Sequence, residues 1–322
     1  MPIHRLSSGG IIANYQCPAA CGHCLYGCSP SAQPGFIDEA AAENVCETLR
    51  HMDCRSLHIG GGEPFLDVAG LVGLVKVIRG SGIKLDYIET NAAWITHDDA
   101  HNRRVLREVV NAGGDCIMVS ADPFHIEFIP FWKPQKLLEL MCGMGISHFV
   151  WQERYWPLLA RLNPEMTYDG QALCDFFGCD LQQKCAAEYG MRFGGRALNL
   201  LRKHGTKKAI TVLQAPCAEL QNTSHFHVDF MGHYIPPGCT GMGILLEDLG
   251  EALDPAKYPV LSRLMEQGLD GLLQYAQDLG FVLDENGYVS KCELCFALRK
   301  YLVRHNTPTP DLTPASFYQQ DF

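Results

Sequence analysis

The sequence lacks any run of lysines or arginines, and its formal net charge is −10. Binding to a nucleic-acid backbone rests on clustered positive charge, so nucleic acid is excluded as a main partner. No apolar stretch approaches the ~20 residues that span a bilayer. The first ten residues are polar and lack the apolar core of a secretory signal. The expectation is a cytoplasmic protein with no membrane partner. Neither a G-x-G-x-x-G nor a Walker pattern is present, which removes two common phosphate-cradling loops. No internal repeat is visible. Charged residues make up only 19% against 47% hydrophobic, so 322 residues can build a sizeable core.

Cysteine, in contrast, is plentiful at 15 residues. In a reducing compartment that favours metal binding over disulfides. Cys17, Cys21 and Cys24 are spaced C-x3-C-x2-C close behind an apolar run. Three thiolates on one short loop leave tetrahedral zinc a ligand short. They can instead hold three irons of a 4Fe–4S cube and leave the fourth iron open for a substrate. Cys28 reads as structural. A second group, Cys217, Cys239, Cys292 and Cys295, ends in C-x2-C and suits either zinc or an iron–sulfur cluster. Cys46, Cys54, Cys116 and Cys142 sit singly in apolar patterns. Cys174, Cys179 and Cys185 fall within one expected helix. All seven read as small core residues.

Short apolar runs alternate with amphipathic stretches. Strands are expected over 10–15, 55–60, 84–90, 115–121, 147–152 and 191–193. Helices are expected over 38–52, 67–80, 98–112, 134–142 and 170–189. This alternation implies βαβ units around a parallel sheet, about six in number. After residue 195 the pattern changes. Residues 209–239 look strand-like, and helices are expected over 259–266, 269–279 and 292–304. Residues 305–322 read as a tail, disordered or draped over the surface. The second expected strand ends in Gly60-Gly61-Gly62-Glu63-Pro64, where glycines permit close backbone approach and Glu63 supplies a carboxylate.

Cys17-x3-Cys21-x2-Cys24 followed by Gly61-Gly62-Glu63-Pro64 after the next strand resembles the radical S-adenosylmethionine (radical SAM) superfamily. The resemblance covers roughly residues 10–200. It implies an α/β fold, a partial (β/α)6 barrel over residues 1–205, followed by a small α+β auxiliary-cluster domain over 206–304. It implies that the three cysteines hold a 4Fe–4S cluster whose open iron takes SAM. Reductive cleavage then gives a 5′-deoxyadenosyl radical that abstracts a substrate hydrogen. Gly61, Gly62 and Glu63 would hold the methionyl ammonium, with Thr90 and Asn91 beside it. His23 would lie near the adenine. Ser120 and Asp122 resemble ribose-binding residues, and Arg196 a late residue flanking the site. Plainer readings stand beside these: His23 as an exposed loop residue, Asp122 as a turn initiator, and Thr90-Asn91 as a helix cap.

The late cysteines resemble the ligand set of a twitch domain, the shortened relative of the SPASM domain. That implies one auxiliary 4Fe–4S cluster on Cys217, Cys239, Cys292 and Cys295, able to take an electron from the substrate. The substrate would be a peptide or protein side chain, or a small hydroxylated metabolite. No separate leader-binding domain precedes Gly10, which tells slightly against a peptide. A flavodoxin- or ferredoxin-type protein would supply the electron. The aromatic segment around Arg154, Tyr155, Trp156 and Glu165 would shape a substrate pocket or cap the barrel. The rival from another class is a non-catalytic iron–sulfur carrier or a zinc-binding interaction protein.

Overall fold

The computed structural model describes residues 3–188, 191–192, 194–210, 217–305 and 309–320. Its first half is a run of βα units: β1 (Ser8–Ile12), α1 (Glu39–His51), β2 (Ser56–Gly60), α2 (Val68–Ser81), β3 (Lys84–Thr90), α3 (Asp99–Ala112), β4 (Cys116–Ser120), α4 (Trp132–Met144) and β5 (Ser147–Trp151). Local chemistry starts the helices. Asp38, Asp67 and Asp98 cap α1, α2 and α3 by accepting from otherwise orphaned amides of the first turn. Gly113 ends α3 in the left-handed conformation, φ 110°.

There follow α5 (Trp156–Leu159), α6 (Gly170–Phe177), α7 (Leu181–Glu188), α8 (Ala197–His204), β6 (Ser224–Asp229), β7 (His233–Ile235), β8 (Ile244–Leu245), α9 (Pro259–Asp278) and α10 (Lys291–His305). One sheet runs β5-β4-β3-β2-β1-β6-β7-β8. Strands β1 to β6 are parallel, and β7 and β8 are antiparallel. The expected α/β architecture with a large parallel sheet is therefore present.

The sixth strand comes from elsewhere than expected. Met191 and Arg192 lie in no strand, and Phe193 is outside the described residues. Residues 224–229 pair with β1 instead, because their alternation sends Phe226 and Val228 into the core at full burial. The strand-like stretch 209–239 is strand only at β6 and β7, with 211–216 outside the described residues. The helix expected over 170–189 is two helices, broken at Gly178. The two expected over 259–279 are one, kinked at Gly268. The tail is no loose end. Phe317 and Tyr318 are buried, and Asp311 caps α9 by accepting from the Val260 and Leu261 amides at 2.7 and 3.0 Å.

The two faces of the sheet differ. Ile11, Leu57, Ile59, Ile88, Ile117 and Val119 pack against helices, with Leu49, Leu74, Ile78 and Leu106 opposite, all fully or almost fully buried. Each such side chain contributes about 1.5–3 kcal/mol. The inner face carries polar and aromatic groups. Gly10 stands opposite both His58 and His227 in register. With no side chain there, the two imidazoles meet over it, Nε2 to Nε2 at 3.1 Å. A Cβ on Gly10 would lie 2.3 Å from the His58 Nε2. Among the described residues, no helix is long and apolar enough to cross a membrane.

Candidate cofactor site

The cysteine loop leaves β1 and is locked to the end of β2 by backbone hydrogen bonds. Gly62 N donates to Asn14 O at 2.8 Å, and Glu63 N to Gln16 O at 3.0 Å. A Cβ on Gly61 would sit 2.6 Å from Asn14 O, and one on Gly62 only 1.9 Å from Gln16 O. The glycines therefore admit the chain's own backbone as well as any ligand. Arg196, between the turn at Gly195 and α8, holds the loop from the far side. Its amide donates to Cys24 O at 3.1 Å, its Nε to Cys21 O at 3.0 Å and its Nη2 to Cys28 O at 2.5 Å.

These contacts bring Cys17, Cys21 and Cys24 to the wall of one cavity of ≈ 110 Å³ at the strand ends. Gly61, Gly62, Thr90, Asn91, Ser120, His23 and Arg196 line it too. The surroundings suit thiolate ligands. Ala19 N and Asn91 Nδ2 both donate to Cys17 Sγ, at 3.4 and 3.3 Å. Cys24 is drawn down to about 6, first by the hydrogen bond from the Cys28 thiol and then, against burial, by the Arg196 charge. Burial pushes Cys17 up to about 12 and raises Cys21 as well, so those two give up protons on binding metal. Cys28 also lines the cavity, hydrogen-bonded to Cys24, a more intimate place than a purely structural cysteine has.

Two predicted residues sit differently from expectation. Glu63 is fully buried and its carboxylate accepts three hydrogen bonds. Oε1 accepts from Phe65 N at 3.1 Å and Thr90 Oγ1 at 2.9 Å, and Oε2 from Asn91 N at 2.8 Å. It braces the β2 and β3 ends and is not part of the cavity wall. Burial still pushes its carboxyl up to about 7. The carboxylate that lines the cavity is Glu89, pushed up to about 7 by burial and by Glu63. Sequence reasoning missed Glu89. Its signal was period-2 alternation, which puts Glu89 on the face opposite the core residue Ile88.

Asp122 lies just behind the cavity. Its Oδ1 accepts from Phe124 N and His125 N, so it does make a turn. Its Oδ2 faces two imidazoles, His125 Nδ1 at 3.0 Å and His23 Nε2 at 3.6 Å. Burial opposes ionisation, but His125 and His23 hold the Asp122 carboxyl well below the usual range. Asp122 in turn raises His125 against burial. His23 is not an exposed loop residue. Its ring stacks on Phe124 at 4.6 Å, and burial lowers it to about 4. His125, on the cavity wall, was not foreseen.

The four late cysteines are separated by up to 78 positions, yet Cys217, Cys239, Cys292 and Cys295 line one second cavity of ≈ 210 Å³. The β6–β7 hairpin and the start of α10 bring them there. The remaining cysteines divide. Cys46, Cys54 and Cys185 are buried, but Cys142 and Cys179 are exposed and Cys116 and Cys174 half-buried, so these four are not core residues. Helix breakage at Gly178 puts Cys179 outside. Of the aromatic segment, Tyr155 is buried in the same packed cluster as Cys17, Cys21 and Phe124, with its hydroxyl on Glu188 at 2.8 Å, and Trp156 lies 4.7 Å from Phe131.

A family model described as a 4Fe-4S single cluster domain matches residues 11–120. That match spans the three-cysteine loop, the Gly-Gly-Glu-Pro turn and the first four strands of the parallel sheet. Among solved structures, the chain is similar to BtrN in complex with AdoMet and 2-DOIA, at 13% identity and TM-score 0.45, over 85% of this chain and 87% of that one. It is similar to native anSMEcpe with bound AdoMet and Cp18Cys peptide, at 14% identity and TM-score 0.44, over 93% and 97%. It is also similar to Streptococcus suis SuiB bound to S-adenosylmethionine, at 13% identity and TM-score 0.36, over 84% and 68%. No curated protein matches it in sequence.

Proposed function

We propose that the protein is a radical SAM oxidoreductase that removes a hydrogen atom and then an electron from its substrate. The observation that carries this reading is the first cavity, where three thiols stand with the Glu89 carboxylate and the Gly61–Gly62 backbone around one space. The donors on Cys17 and the depressed Cys24 fit a cluster held by Cys17, Cys21 and Cys24. When bound, that 4Fe–4S group supplies the electron that splits SAM into methionine and a 5′-deoxyadenosyl radical. Glu89 and the backbone carbonyls of Gly61 and Gly62 hold the methionyl ammonium, a charge-assisted contact. Glu63 holds the Thr90–Asn91 turn in place beneath it. His23, fixed against Phe124, offers a ring to the adenine, and Ser120 a hydroxyl to the ribose. Arg196 keeps the loop carbonyls aligned.

Cys217, Cys239, Cys292 and Cys295 hold an auxiliary 4Fe–4S cluster in this reading. Tetrahedral zinc, at about 2.3 Å per sulfur, draws its thiolates to ~3.8 Å of one another. Cys217, Cys239, Cys292 and Cys295 instead line one cavity of ≈ 210 Å³. A cube takes each cysteine on a different iron and keeps them apart. The substrate is a peptide or protein side chain or a small hydroxylated metabolite. Tyr87, Phe149, His58 and His227, linked by ring contacts across the inner face, form an aromatic wall for it. A flavodoxin- or ferredoxin-type donor delivers the first electron.

The test is release of 5′-deoxyadenosine from SAM by the anaerobically reconstituted, dithionite-reduced protein. Release that disappears in Cys17→Ala, Cys21→Ala and Cys24→Ala supports the reading. A protein that binds iron yet releases none is a carrier, not this enzyme.

A further inference from the structure

The second cavity contains a positive charge that no carboxylate among the described residues balances. Arg299 lies on α10 at i+4 from Cys295 and i+7 from Cys292, so helix geometry puts all three on one face. It is 6% exposed and lines the cavity with the four thiols. Its hydrogen bonds go to neutral groups. Nη1 donates to Thr240 O and to the Tyr318 hydroxyl, both at 2.8 Å, and Nε to Cys295 O at 3.4 Å. The Phe296 and Tyr318 rings flank the guanidinium at 5.7 Å. The other cations there are accounted for: Lys291 pairs with Glu219 at 3.2 Å, and Arg192 is exposed to water.

A buried guanidinium with no carboxylate partner among the described residues is costly, so the cavity is built for an anion. An iron–sulfur cluster on four thiolates is net negative. It becomes more so on reduction, and a fixed cation in a dry cavity favours that state.

We propose that Arg299, held in place by Tyr318 of the C-terminal segment, is the counter-charge of the second cluster and raises its reduction potential, making it an electron acceptor for the substrate. This rests on the reading of the four late cysteines as cluster ligands. One electron enters the cluster from the substrate radical after that radical has lost a proton, which leaves a substrate oxidised by two electrons in all.

The experiment compares the full-length wild type, Arg299→Gln, Arg299→Lys and Tyr318→Phe after anaerobic reconstitution. Iron per chain is counted, and the potential of the cluster whose paramagnetic resonance signal ignores added SAM is titrated with redox dyes. The wild type should hold about eight irons, four per cube. In Arg299→Gln the reduced-to-oxidised ratio at fixed ambient potential should fall about tenfold, ~59 mV for a one-electron couple. Arg299→Lys should keep most of the wild-type potential, and Tyr318→Phe should shift it in the same direction as Arg299→Gln but less. Loss of the second cluster in Arg299→Gln but not in Arg299→Lys also supports a required charge. Equal potentials in all four proteins overturn the proposal. So does equal loss of iron in the Gln and Lys variants, which would mean packing rather than charge. A wild type with about four irons and zinc removes the cluster reading itself, an outcome separate from any behaviour of Arg299.

Discussion

Replacing Glu63 and Glu89 one at a time separates a brace from a ligand. Glu63 accepts three hydrogen bonds in a fully buried place. Gln at 63 can keep its oxygen on Phe65 N and Thr90 Oγ1, but its amide group then faces the Asn91 N–H, donor against donor. Leaving one buried amide unsatisfied costs about 1–3 kcal/mol. For a chain of this size that is a fall in Tm of about 2–6 °C, or a matching drop in urea midpoint. SAM affinity should change less than about threefold, because Glu63 is not on the cavity wall. Glu89→Gln should do the opposite. It removes a charge-assisted contact of about 1.5–3 kcal/mol, so Kd for SAM should rise roughly 10- to 100-fold with little change in stability. Urea unfolding and SAM titration on the reconstituted proteins read both effects. Should Glu63→Gln weaken SAM more than tenfold at unchanged stability while Glu89→Gln leaves binding intact, the roles are reversed and the reasoning fails.

Three further outcomes follow from the same geometry. SAM affinity should weaken several-fold from pH 7.5 to pH 6, because Glu89, raised to about 7, takes up a proton and loses the charge that holds the ammonium. Glu89→Gln should abolish that acid limb, and a limb that persists in the variant excludes Glu89 as its source. Cys292→Ala should lower iron by about four per chain and stop substrate oxidation while 5′-deoxyadenosine release continues; full product formation by that variant would rule out an acceptor role. Gly10→Ala should destabilise by about 1–3 kcal/mol through overpacking against His58. His58→Ala should relieve most of that penalty in a double-mutant cycle, and additive effects would deny the contact.

Much of the site was legible because its signals are local. Three cysteines within eight residues must share a loop, and a glycine pair before Glu63 marks a close backbone approach wherever the chain goes. The helix limits of α1, α2 and α3 followed from aspartate caps and apolar period, both short-range. Cys179 and Cys142 were misplaced because apolar surroundings in sequence do not report which face of a helix meets solvent. The tail was undervalued because prolines conceal the absence of a period, while burial of Phe317 and Tyr318 depends on partners nearly eighty residues away.

By itself the amino-acid order determined the kinds of group available: an incomplete thiolate set, a strand-end glycine turn, and a second cysteine set that no short loop could gather. Tertiary structure alone decided which carboxylate is free. Glu63 is consumed by three donors from neighbouring strand ends, and Glu89 is left facing the cavity. It alone decided that β6 closes on β1, that the four late thiols line one cavity, and that Arg299 stands there with no carboxylate partner among the described residues. The physical reason is range. Caps, turns and periods are settled within a few residues, whereas desolvation and charge balance are sums over everything that folding brings close.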